Sequence, residues 1–284
     1  MCTSNITARK FIKLLAEVEF YAIVIYAIFI FTGYDVFSIK GLIKTVFPVT
    51  AIGSDFTSCF LVFYLFIPFI NMLIHSLSEW QHLCLAVLCI IVCTILPSLM
   101  VEISMSYVAW FCVLYIIASY LRLYPKSFFD NTRLWEWLTI ASLALSWTSV
   151  VIIFTIGRRF GLENQYFFVA DSNKVLALLT AICAFMLFKN LNIKQSRIVN
   201  AVSASTFGVL LIHANSDTMR QWLWRDTLKN VSYYNSDYLI LHAVVSVIGV
   251  YVICTLIDYM RICWLERPLF RLYDKHFLKK ETDT

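Results

Sequence analysis

Two runs constrain this chain more than anything else in it. Leu134–Ile156 and Tyr238–Met260 each carry a single charged side chain, Glu136 and Asp258. A helix needs about 20 mostly apolar residues to cross a bilayer, and both runs exceed that. Six weaker runs follow the same template: Phe11–Thr32, Phe56–His75, His82–Val101, Met105–Leu121, Lys174–Phe188 and Ala201–His213. The last two fall short by several residues. The pattern predicts an all-α fold, a polytopic transmembrane helix bundle of about eight spans.

Composition excludes the soluble alternative. The chain is 60% hydrophobic and 14% charged, where soluble domains carry about 25% charged residues. Its net charge of +5 comes without a basic stripe and interleaved aromatics, so no nucleic-acid partner is expected. The partner is the lipid bilayer. With the N-terminus placed in the cytoplasm, the outer segments hold Lys40, Lys44, Arg158, Arg159, Lys174, Arg220, Arg225 and Lys229, and the rest of the 23 basic residues lie inside. That bias predicts both termini in the cytoplasm. Trp80, Trp135 and Trp137 stand at expected helix starts, where an amphipathic ring suits the headgroup layer. Pro68 interrupts the second run, which a membrane helix tolerates when neighbours satisfy the freed carbonyl. No cleavable leader is expected, since Met1–Lys10 is polar and the run after it is long enough to remain as an anchor.

Most of the nine cysteines fall inside apolar runs, where cysteine behaves as a small hydrophobe. Cys89 and Cys93 lie one helical turn apart, but no histidine or carboxylate shares their face, so no metal is expected. P-loop, GxGxxG, GxSxG and HExxH patterns are absent.

Ionisable groups at membrane depth are expensive and therefore informative. Glu17 and Glu19 point about 200° apart on a helix, so they cannot face one cavity; one is expected to pair with a basic residue. Asp258 and Arg261 have the spacing of a local ion pair. Arg158 and Arg159 could bind an anionic group by bidentate hydrogen bonding. His213 closes the run "STFGVLLIHANS" and could line a functional cavity, as a base at neutral pH. Asn215 beside it suits a polar mouth. Ser205 and Gly208, upstream, form a small face for close helix approach.

Five segments in order carry a family likeness: "TVFPVT", "FLVFYLFIPFINMLIHSLSEWQ", "LYIIASYLRLY", "SASTFGVLLIHANS" and "WLERPLFRL". Together they resemble the integral-membrane acyltransferase family three, over about Arg9–Leu272. The resemblance implies an acyltransferase-like membrane domain over 1–272, a polar tail over 273–284, and a location in a bacterial plasma membrane. It implies transfer of an acyl group other than amino-acyl, typically acetyl from acetyl-CoA, to a hydroxyl of a sugar or surface polysaccharide. Substrate contact would fall to Arg158, Arg159, Ser205 and Asn215, with His213 as the candidate for catalysis. The family pattern has ten helices, the first carrying Arg or Lys, ten residues, then His. The residues eleven before His75, His82, His213, His242 and His276 are Tyr64, Asn71, Val202, Val231 and Leu265, so this sequence shows no such pair and matches from the third helix onward. An N-terminally truncated or inactive relative is one expectation. A transporter or flippase for an anionic solute and a non-catalytic scaffold are the alternatives.

The charge bias is directly testable. A fluorescent protein fused after Thr284 should fluoresce in the cytoplasm, and an exported phosphatase fused there should be inactive; the reverse pair would invert the topology.

Overall fold

The computed structural model describes residues 8–47, 56–99, 101, 103–160 and 164–275. Among them the secondary structure is helical. In chain order the main helices are α1 (Ala8–Phe31), α2 (Ile39–Val46), α3 (Phe56–Ser76), α4 (Glu79–Ser98), α5 (Tyr107–Leu123), α6 (Thr132–Ile156), α7 (Val175–Asn190), α8 (Arg197–His213), α9 (Asp217–Thr227) and α10 (Leu239–Tyr273). Each of the eight expected runs is helical over most of its described residues. Five, namely α1, α3, α4, α6 and α10, are long and apolar enough to cross a membrane. Helices α5 and α7 have 17 and 16 residues, or about 26 and 24 Å at 1.5 Å per residue, slightly less than a hydrocarbon core of about 30 Å.

Two differences from the sequence expectation have local causes. The seventh run predicts a span that ends at His213. Instead the chain turns by 94° and enters α9, whose start is fixed by the Ser216 hydroxyl accepting from the Met219 amide at 3.1 Å. The pair α8–α9 is thus a broken span or a re-entrant loop, and counted as one span it brings the candidates among the described residues to six. The eighth run predicts a stop near Met260, but its helix continues to Tyr273, so "WLERPLFRL" is helical. The tail expected over 273–284 lies largely outside the described residues.

The polar residues between runs act as helix starters. Ser78 and Gln81 form a reciprocal capping box at the start of α4, Ser106 caps α5, Asn131 caps α6 and Ser196 caps α8. Each satisfies amides that the first helical turn leaves without partners.

The chain divides into two compact units: Met1–Phe11 with Ala51–Ile193, and Ile12–Thr50 with Lys194–Thr284. In the first, α6 packs on α7, while α3 and α4 pack on α5. Phe63, Ile67, Ile74 and Tyr115 form one core; Ala86, Trp110, Val113, Ile116, Ile117 and Leu178 form another. Proline shapes α4. Pro97 has no amide hydrogen and crowds the carbonyl four residues earlier, and a wide turn over Ile91–Ile95 precedes it. The displaced Cys93 carbonyl accepts from Asn173 Nδ2 at 3.3 Å, and the Pro97 carbonyl accepts from Lys174 Nζ at 2.9 Å. Lys174 also lies 4.1 Å above the Phe167 ring, a cation–π contact. The same device recurs in α10, where a wide turn over Ile262–Glu266 precedes Pro268.

In the second unit α8 packs on α10. Gly208 makes this possible. A Cβ at 208 would lie 2.2 Å from both Cγ and Oδ1 of Asp258, so only glycine admits the carboxylate. Gly249, further along α10, is the opposite case: a Cβ there would meet nothing within 4 Å.

These two glycines should respond oppositely. Gly208→Ala is expected to destabilise the second unit by about 3 kcal/mol, the cost of overpacking a rigid site. Gly249→Ala should be neutral or stabilising by up to ~1 kcal/mol, from helix propensity alone. Thermal unfolding in lipid nanodiscs measures both; equal effects would contradict the packing described.

Candidate functional site

The second unit contains a buried ionic lattice built on one arginine. Arg261, 7% exposed, donates from Nε to Asp258 Oδ1, from Nη2 to Glu17 Oε1 and from Nη1 to Glu266 Oε2, each at 2.9 Å. Lys13 Nζ lies 2.6 Å from Glu266 Oε1. The Tyr21 hydroxyl donates to Asp258 Oδ1 at 2.8 Å, and the Arg261 guanidinium carbon stands 5.6 Å from the Tyr21 ring centroid. The expected Asp258–Arg261 pair is present, and Glu17 has the basic partner expected for one of the two glutamates. Three carboxylates surround two cations. Asp258 is fully buried, and its Oδ2 has no hydrogen-bond partner among the described residues.

A cavity of about 980 Å³ begins beside this lattice. Its walls come from Phe20–Tyr34 of α1 and the following turn, from Ile212 of α8, from Met219–Leu228 around α9, and from His242–Ile257 of α10. Tyr21 and Ile257 mark one end and Tyr34 and His242 the other, because α1 and α10 run antiparallel through the pairs 13–266, 17–261 and 21–258. Among the described residues no Lys, Arg, Asp or Glu contributes to the lining. At the far end, the Tyr34 hydroxyl donates to Asp226, and Arg225 pairs with the same carboxylate. Hydrogen bonding to Asp226 pushes the Tyr34 phenol above its ordinary range.

His242 is the imidazole that lines this cavity. Its Nε2 is 3.0 Å from Asn230 Oδ1 and 3.4 Å from Ser246 Oγ, and the Tyr233 ring stacks on it at 3.9 Å with an interplanar angle of 7°. An amide oxygen only accepts, so Nε2 carries the proton and Nδ1 is the basic nitrogen. A base held in one tautomer by a second side chain is the arrangement that general-base chemistry requires.

The sequence-derived candidates are distributed differently. His213 is half-buried at the end of α8, with Nδ1 donating to the Val209 carbonyl at 2.6 Å and its ring edge-on to Trp224. Asn215 Nδ2 donates to the Leu211 carbonyl at 3.2 Å. Both therefore close the end of α8, and the cavity is lined by Ile212 rather than by His213. Ser205 is fully buried, with no hydrogen-bond partner for Oγ among the described residues. It lies one turn before Gly208, consistent with the small packing face expected there. Arg159 is exposed in the turn Gly157–Phe160 of the first unit. The Arg158 side chain lies outside the described residues. The sequence offers no pointer to His242, because Asn230 lies in a connecting segment with no motif around it. Among the described residues no group of three or more His, Cys, Asp or Glu is placed to hold a metal ion.

Similarity to known proteins decides the family. A family model described as an acyltransferase domain matches residues 3–259. The chain belongs to this membrane acyltransferase family. No curated protein and no solved structure matches it. An acyl-CoA donor would bring several phosphate groups, and the uncharged cavity offers them no cation. Within this acyltransferase the cavity suits apolar and neutral polar groups.

Arg261 cannot be exchanged for lysine without loss. A single ammonium cannot reproduce three divergent donors, and breaking one side of a buried ion pair costs about 3–5 kcal/mol. Arg261→Lys should therefore lower the thermal stability sharply, while Glu17→Gln, which keeps an oxygen facing Nη2, should lower it less. Similar melting temperatures for wild type and Arg261→Lys would show that the lattice is not needed for stability.

Proposed function

We propose that the chain is an O-acyltransferase of the plasma membrane, with both termini cytoplasmic, that moves an acetyl group from acetyl-CoA to a hydroxyl of a sugar or surface polysaccharide. Family membership supports acyl transfer in general. The observation that carries the chemistry is His242, fixed by Asn230 on the wall of a large cavity. In this reading Nδ1 of His242 takes the proton of the acceptor hydroxyl as its oxygen attacks the acyl carbonyl. The bond from that carbon to the donor's leaving group breaks, and the proton passes to the leaving group. Asn230 keeps the imidazole in the required tautomer throughout.

The 94° break between α8 and α9 favours a second reading, solute transport, since transporters place broken helices at their binding sites. One preparation distinguishes the two. In proteoliposomes, labelled acetyl-CoA with a glycan acceptor should yield acetylated glycan. His242→Ala should lower the rate by about 10²–10⁴-fold, as for a lost general base. Asn230→Ala should lower it less and change its pH profile. Solute uptake with no acyl product would establish transport instead, and full activity of His242→Ala would remove this histidine from the mechanism.

A further inference from the structure

The cavity in the second unit is long, apolar and polar at one end. His242 and Ile257 are fifteen residues apart on one helix, about 22 Å at 1.5 Å per residue. That exceeds the depth of one leaflet's hydrocarbon, about 15 Å. Its volume of about 980 Å³ is at the upper limit for small-molecule sites, roughly 300–1,000 Å³. Between the ends the lining is Val, Ile, Phe, Leu and Cys with few polar interruptions.

Polarity is unequal at the two ends. Beside Ile257, the hydroxyl of Tyr21 is already donated to Asp258, so that end offers an apolar floor. The other end presents His242, Ser246, Thr227 and Tyr34. These groups are hydrogen-bonding and uncharged, and the nearby Asp226 is balanced by Arg225. A phosphate or carboxylate head would enter this end without a lining cation. A neutral hydroxyl would find an acceptor and donors.

Gly249 adds an independent observation. It sits inside a long helix, where glycine costs about 1 kcal/mol relative to alanine. Unlike Gly208, it admits no close protein neighbour: nothing lies within 4 Å of where its Cβ would be. It widens the cavity midway between His242 and Ile257.

We propose that this cavity binds the hydrocarbon chain of an uncharged, hydroxyl-bearing amphiphile, with the head against His242 and the chain running past Gly249 toward Tyr21. The role of that hydroxyl as acyl acceptor rests on the function proposed above; the binding does not. The acceptor sugar is then presented at the end of a long chain rather than free in water.

The test uses the full chain in lipid nanodiscs, with no acyl donor present. An alkyl glucoside with a photoreactive diazirine in its chain is irradiated and the labelled residues are mapped by mass spectrometry. Label should concentrate on the lining positions of α1 and α10. Gly249→Leu, which projects a side chain into the groove from a Cβ position with nothing within 4 Å, should reduce it about tenfold, equivalent to ~1.4 kcal/mol of affinity. If Gly249→Leu is not monodisperse, Val245→Phe answers the same question, since Val245 lines the cavity and is 60% exposed. Uniform labelling of all outward helix faces, unchanged by either variant, would reduce the cavity to a face bathed by ordinary bilayer lipid and overturn the proposal. Stronger labelling by the same chain ending in phosphate would overturn the uncharged head. Localised labelling without acyl transfer in the separate turnover assay would uphold this inference and defeat the proposed reaction.

Discussion

The second unit depends on the guanidinium of Arg261. Three carboxylates from Glu17, Asp258 and Glu266 converge on its three nitrogens, two of them from the same end of α10 and one from α1. Burying that many charges is costly, and the return is geometric rather than simply stabilising: the lattice permits one register between α1 and α10. Slipping α1 by one turn would strand Glu17 and detach Tyr21 from Asp258. Gly208 then lets α8 close over the same carboxylate. Three helices are thereby fixed around one point, and the cavity extends away from it along α10.

This placement explains how an apolar cavity can persist in a helical unit. Its walls need not be drawn together by their own side chains, because the polar lattice at residues 258–266 and the Tyr34–Asp226 pair at the other end hold the elements in position. The interior can remain uncharged, with His242, Ser246, Thr227 and Tyr34 as polar groups at one end. Charge is concentrated where it fixes structure and absent where a ligand would lie.

Much of the fold was legible because a bilayer imposes one strong rule, and runs such as Leu134–Ile156 obey it almost to the residue. The local pair Asp258–Arg261 was legible for the same kind of reason, since helical periodicity places residues three apart together. Glu17 and Arg261, 244 positions apart, share no such rule. The break after His213 carried a signal of its own, Ser216 before Asp217, which also starts a helix; its polar neighbours read equally well as the mouth of a cavity. The extension of α10 past Met260 was hidden because the apolar run stops at Arg261, with Glu266 and Arg267 following, whereas the helix continues through a wide turn over Ile262–Glu266. His242 was the least legible, because its partners Asn230 and Tyr233 come from a single 3-10 turn too short to show a periodicity.

The choice of Asn230 as the partner of His242 follows from the same economy of charge. An aspartate in that position would fix the tautomer equally well, but it would place an unpaired carboxylate beside a wall that contains no cation, where desolvation is expensive. An amide oxygen accepts the Nε2 hydrogen and adds no charge. Tyr233, stacked at 3.9 Å, covers one face of the ring and restricts its rotation. An imidazole held in this way has one basic nitrogen in a neutral setting, and a neutral hydroxyl is the partner that such a group can both bind and activate. In the proposed reaction, proton transfer there would create an ion pair only as the acyl bond forms. On the proposed reaction, the uncharged lining ties the choice of orienting residue to a neutral acceptor.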